Sequence, residues 1–290
     1  MSRSDKTIDN DRPKNPAVRF FEWSGSEGKL RWWDKEAKQE HFIEPPFTFL
    51  VLDQLNTVKG YSDDLETGFF ANEVRRDGII TLRTKYGPYK TGKWKDDIAH
   101  VKGAKFTKSV YIAFHDDGEL RIGNLQFHGS ALGGLAPETI QSNLKEAAQK
   151  NSKTEAFTDE FLRSIGWFGF AEQFPDVTEI AIQLTGAIAD KKGATNFFRP
   201  VFREYKNVSA ETNEKAIELD RQLQAYLKAY FAYQAAQEPV QELTVDDDPT
   251  ADAPFNDAEP PDTFNTEYDP QRPLRDTHVA PSKYEDDIPF

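Results

Sequence analysis

The chain has 290 residues, a length that suits one large domain with tails or two small domains, and a formal net charge of −13. It contains no cysteine, which excludes disulfides, a thiolate nucleophile and cysteine-ligated zinc and fits a reducing cytoplasm. The charge is unevenly placed: residues 238–290 carry 15 acidic and 3 basic side chains, a net of −12, whereas residues 1–237 carry 34 and 33, a net of −1.

Residues 1–16 are polar and Asn-containing, with Pro13 and Pro16, and predict a disordered arm rather than a secretory signal. The longest apolar runs, such as Phe49-Leu50-Val51-Leu52, are too short to span a membrane. From Ala17 to about Lys206, β-branched and aromatic runs cut by Gly and Asp predict strands. These fall at Val18–Trp23, Phe47–Lys59, Gly68–Val74 and Ile79–Lys85, then at Lys105–Phe114, Leu120–His128, Val177–Ile188 and Phe197–Tyr205. Turns are expected at Asp77-Gly78, Asp116-Asp117-Gly118 and Lys191-Lys192-Gly193, whose residues tolerate positive φ.

Ala136–Gln149 predicts a helix with Pro137 in its first turn, and Thr158–Ile165 a shorter one. Trp167 and Phe168 lie in an apolar patch and are expected in the core. Ala216, Leu219, Leu223, Tyr226, Tyr230 and Tyr233 follow a 3-4-3-4-3 spacing, the stripe of an amphipathic helix starting at Ala210–Asn213. Such a stripe packs on the strands or forms a dimer seam; packing is preferred, and a homo-oligomer stays open. Residues 238–290 are acidic and proline-spotted, with too few large aliphatics to fold alone. The layout is an arm (1–16), a mainly β body with a C-terminal helix (17–237) and a disordered acidic tail (238–290). Many short strands with cationic, ring-bearing loops suit an OB-like five-stranded barrel elaborated by helices.

Residues 75–108 hold ten Lys and Arg against three Asp, a local +7. Arg83, Lys85, Lys90, Lys93, Lys95, Lys105 and Lys108 are interleaved there with Tyr86, Tyr89, Trp94 and Phe106. Single-stranded nucleic acid asks for this combination: cations follow the phosphates, and flat rings stack on bases at about 1–3 kcal/mol each. Tyr86-Gly87-Pro88-Tyr89 reads as a turn, a poor place to bury two tyrosines. Lys29–Trp33 and Arg199–Lys206 are further cation–aromatic segments that could lengthen the path.

Gly87–Trp94 matches a phosphate loop except at its last position, where Trp94 replaces the hydroxyl that would hold Mg²⁺. The Asp pairs 63–64, 96–97 and 116–117 fall at expected turns, where local hydrogen bonding explains them. The histidines show no metal spacing, and no catalytic constellation emerges. A binding protein without cofactor or metal is expected, not an enzyme.

The tail ends in Asp286, Asp287, Ile288, Pro289 and Phe290. An apolar tip beside acidic residues and a carboxylate suits a small pocket with a basic rim. This tip resembles that of bacterial single-stranded DNA-binding proteins, which end in an acidic run and Ile-Pro-Phe. The resemblance implies a protein that coats single-stranded DNA and recruits replication, recombination and repair proteins through those five residues. It covers only the end of the chain. The body is longer than the bacterial domain and shares no motif with it, which points to a divergent form of a viral kind, acting in the host cytoplasm. The rival expectation is an adaptor or decoy whose body binds protein and whose tip mimics the recruiting signal.

Overall fold

In the computed structural model, residues 13–133 and 165–236 are described. The arm before Pro13, the helix expected at 136–149, nearly all of that at 158–165, and the acidic tail with its tip lie outside these residues.

The described chain is mainly β, with eleven strands in one sheet. They are β1 (Arg19–Ser24), β2 (Lys29–Asp34), β3 (Gln39–Ile43), β4 (Phe47–Ser62), β5 (Thr67–Ala71), β6 (Ile80–Thr84), β7 (Gly87–Gly92), β8 (Ala104–Asp116), β9 (Glu119–His128), β10 (Ala181–Lys192) and β11 (Thr195–Tyr205). Helix α1 (Gly166–Gln173) precedes β10, and α2 (Ala210–Ala236) follows β11. The eleven exceed the eight strands that the sequence predicts, and β2, β3 and β7 are the additions. β2, β3 and β7 are short and rich in charge, Gly or Pro, so their alternation is weak in the sequence, yet each hydrogen-bonds to a neighbour.

β4 organises the sheet. Along one edge it pairs antiparallel with β8 from Phe49 to Gly60. Its other edge is shared: Phe47–Leu50 pairs with β10, and Lys59–Ser62 pairs with β5. A bulge between Val51 and Asp53 bends the strand between these tasks. β10 returns beside β4, which gives the local order β10-β4-β8-β9. β1 adds parallel to β9 and carries the β2–β3 hairpin. A hydrogen bond of 2.7 Å from Phe198 N–H to the Gly25 carbonyl brings β11 to the β1–β2 turn.

Three cores result. The largest is aromatic and centres on Trp167, whose ring lies 5.2 Å from Phe127 and 5.5 Å from Phe202 and whose indole N–H donates to Gln54 at 3.0 Å. The second lies under α2, where Leu223, Tyr226, Leu227 and Tyr230 cover Leu55, Tyr111 and Ile122. The helical stripe therefore packs on the sheet, as expected. The third supports β5–β7 and holds Val58, Phe69, Val74, Ile80, Leu82 and Ile98. Its entry and exit meet at Gly60 and Gly103, where a Cβ on either residue would stand 1.9 Å from a backbone oxygen of the other segment. Only residues without a side chain fit that crossing. The chain is already held to the body at Asn15, whose amide donates to the Tyr111 hydroxyl at 2.9 Å. No helix among the described residues is long and apolar enough to cross a membrane.

A polar cluster secures β1 on the outer face. Glu22 accepts from Arg31 at 2.8 Å and lies 2.7 Å from His128 Nε2. Burial alone would raise its carboxyl, but the His128 hydrogen bond and the charges of Lys59, His128 and Arg31 hold it down at about 2. A carboxyl depressed on folding stabilises above its unfolded value, near 4.5, and loses that contribution as pH falls toward 2. Glu22→Gln should therefore lose stability at neutral pH, with the gap to the parent closing between about pH 4.5 and 2. The gap is at most about 3 kcal/mol, measured by urea unfolding across that range.

Candidate nucleic-acid interface

The block of cations and rings is carried mainly by the β6–β7 hairpin and the turn that follows it. β6 buries Ile80, Leu82 and Thr84 against the third core and leaves Thr81 and Arg83 on the opposite face. The hairpin turn is Lys85-Tyr86, not Tyr86–Tyr89 as expected, because Gly87 takes up a φ of +122° and pairs with Thr84. Thr84 Oγ1 accepts from the Tyr86 N–H at 3.1 Å and fixes the turn. Tyr86 is 72% exposed, with the Lys85 ammonium 5.0 Å from its ring. Tyr89 is 50% exposed and leans on Phe69 at 5.3 Å. Pro88 is accommodated because β7 ends the sheet path and lies beside a bulge between Leu82 and Arg83. The near-match to a phosphate loop is thus mostly edge strand.

After β7, the Lys93 N–H donates to the Asp97 carboxylate at 2.8 Å and opens one turn of π-helix, Trp94–Ile98. Trp94 is half-buried, 5.4 Å from Phe106, and Phe106 reaches Phe168 at 6.4 Å. Phe168, expected in the core, is 41% exposed: one turn of α1 cannot face both its aromatics inward, and Trp167 takes the interior. Trp94 and Phe106 therefore serve the core with part of each ring, unlike Tyr86.

Strand alternation divides the predicted contacts between two faces. Phe106 and Lys108 share the face of Val110, toward the aromatic core, while Lys105 stands on the other with Thr107. Lys108 is half-buried and donates to Asn56 Oδ1 at 3.0 Å. Burial lowers its ammonium from the ordinary lysine value, Asp53 opposes that, and Arg76 adds to it. Lys93, Lys95 and Lys105 are exposed.

The block also contains cations already engaged. Arg75 grips Asp53 with two nitrogens, Lys102 pairs with Asp64 at 3.1 Å, and Arg76 lies 4.0 Å from Asp77. Among the described residues no ion pair engages Arg83, Lys85, Lys90, Lys93, Lys95 or Lys105. The two other cation–aromatic segments are more committed. Arg31 pairs with Glu22 and Glu40, Lys29 with Glu44, and Arg199 with Asp190. Trp32 stacks on His41 at 4.6 Å, Phe202 is core, and Trp33 is 58% exposed. Of the Asp pairs, Asp97 is bonded locally as above, whereas Asp64 and Asp116 make long-range ion pairs, with Lys102 at 3.1 Å and with Arg19 at 2.6 Å.

These burials predict which rings can be removed harmlessly. Tyr86→Ala should change stability by no more than about 0.5 kcal/mol, as at most surface positions. Trp94→Ala should cost more than about 2 kcal/mol, since it empties part of the third core and uncovers Phe106. Urea melts of the two variants check the contrast; equal losses would place Tyr86 in a packed environment. No protein-family model, curated protein or solved structure matches this chain.

Proposed function

We propose that the chain binds single-stranded DNA without strong sequence preference and recruits replication, recombination and repair proteins through Asp286–Phe290. One observation carries the first half. Arg83, Lys85, Lys90, Lys93, Lys95 and Lys105 make no ion pair among the described residues, and they accompany rings exposed by 72% at Tyr86 and 50% at Tyr89. Free cations beside solvent-facing rings are what a flexible polyanion with unstacked bases requires.

The strand order supports an OB-type reading. β4, β8 and β9 form a meander, α1 follows, and the β10–β11 hairpin returns to β4. In this reading those five strands are the barrel and the other six are additions. The β5–β7 excursion then occupies the connection between the first two barrel strands, and Lys191-Lys192-Gly193 ends the connection between the last two. OB barrels hold oligonucleotides with those two connections.

The tail, with its net of −12, is tethered to this cationic surface and competes with DNA phosphates at high effective concentration. DNA displaces it, and the tip becomes available to partners in the cytoplasm. The reading needs no cofactor and assigns no catalysis.

Fluorescence titration with oligo-dT tests the body. With about five phosphate contacts, log affinity should fall with log salt at a slope near −3.5, from about −0.7 per contact. Deleting residues 238–290 should leave binding intact or tighten it, since a competing polyanion is gone. Undetectable or salt-independent binding would favour a protein-binding adaptor instead.

The tip is tested separately. Deleting Phe290 removes the ring that fills the pocket and should abolish pull-down of replication and repair proteins from a bacterial extract, while oligo-dT binding stays unchanged. Equal recovery by both chains ends the recruiting role.

A further inference from the structure

β-Sheet register lines up residues that are far apart in sequence. Lys105 of β8 is directly opposite Lys59 of β4, Lys59 opposite Phe70 of β5, and Phe70 opposite Arg83 of β6. Directly paired residues share a face, so the four form one row across four adjacent strands. At about 4.8 Å per strand the row is about 14 Å long. It lies on the face opposite the third core, because the alternate positions Val58, Phe69 and Leu82 are the ones buried there. Tyr61 joins the same face two residues beyond Lys59; it is 51% exposed and stands opposite Gly68.

Two features of the row are unfavourable for packing alone. Lys59 and Lys105 are like charges in direct opposition, an arrangement that destabilises a sheet. Phe70 is only half-buried on a strand face, with a cation on each side. Neither Lys105 nor Arg83 has an ion-pair partner among the described residues, and Lys59 feels Glu22 but also the like charge of Arg31. Burial lowers the Lys59 ammonium from its ordinary value, Arg31 adds to this, and Glu22 and Glu73 oppose it. A polyanion with flat bases relieves all of these at once.

We infer that the row Lys105–Lys59–Phe70–Arg83, with Tyr61 beside it, is a second single-stranded DNA track on the strand face opposite the third core, with Phe70 stacking a base between flanking phosphates. This rests on the proposed DNA binding and extends it from the hairpin tip onto the sheet. Neither Lys59, Tyr61 nor Phe70 belongs to the basic block of residues 75–108, so the track joins two stretches of sequence.

The test compares the full chain with three variants by oligo-dT anisotropy and thermal melting. Phe70→Leu keeps an apolar body but removes the ring, and should weaken binding about 5- to 150-fold, the equivalent of about 1–3 kcal/mol of stacking. The double variant Arg83→Gln/Lys105→Gln should reduce the salt slope by about 1.4, from about −0.7 per lost contact, with an unchanged or higher melting temperature. Tyr86→Ala reports on the hairpin alone. A parent that binds, a weakened Tyr86→Ala, and unchanged affinity and slope in the double variant would overturn the track and keep the DNA reading. A parent that does not bind overturns both. If Phe70→Leu fails to fold, the double variant decides.

Discussion

Every backbone donor and acceptor along a central strand needs a partner, and β4 meets that demand with three different neighbours. One edge is satisfied by β8 over most of its length. The other is divided, with β10 at one end and β5 at the other, and the bulge between Val51 and Asp53 turns the strand from one to the other. From this division follow two bodies of structure on a single strand. The first half belongs to the aromatic core around Trp167, and the second half to the small core that supports the hairpin. The exposed tyrosines and the cationic row are therefore held by the same rigid strand that closes the main core.

Polar burial ties the remaining pieces to this frame. Ser109 and Tyr111 both donate to the Glu73 carboxylate, and Asn124 donates to Ser109 at 2.7 Å. Burial and the neighbouring carboxylate push the Tyr111 phenol far up, which keeps it neutral and donating. Helix α2 reaches the same segment, with the Tyr230 hydroxyl accepting from the Glu73 N–H at 2.8 Å. Asn72 then accepts from the Thr81 N–H at 2.6 Å and donates to the Ile79 carbonyl at 3.1 Å, so the start of β6 is anchored to the helix contact. A carboxylate partly shielded from water is costly unless its oxygens are filled, and here both are.

What the sequence reveals depends on whether a signal is local. The α2 stripe was legible because Leu223, Tyr226 and Tyr230 recur on one face of one helix. Long strands such as β8 and β9 were legible from β-branched and aromatic runs. Helix α1 was not, since Gly166, Gly169 and apolar residues surround it on all sides; it exists because Trp167 fits among Phe127, Phe202 and Phe49. For the proposed binding surface, the cation count pointed to the region, and the resemblance at the tip suggested the ligand. Counting charges ignored alternation, which sends Lys105 and Lys108 to opposite faces. Lys59 and Phe70 were invisible as partners because their adjacency to Lys105 and Arg83 is set by pairing across long sequence separations.

The crossing of Gly60 and Gly103 also matters for how such a chain can change over generations. With the Tyr61 N–H bonded to the Gly103 carbonyl at 3.3 Å, the excursion leaves and re-enters the sheet at one point. Closing a loop whose ends already touch costs little more as it lengthens, about 0.6 kcal/mol for each doubling. Changes confined to the exposed β6–β7 turn therefore leave the aromatic core untouched, whereas Glu73 and Trp94, between the same glycines, are fixed by their contacts with β8. The turn that carries Lys85 and Tyr86 is thus free to diverge, while the two glycines that close the excursion are not.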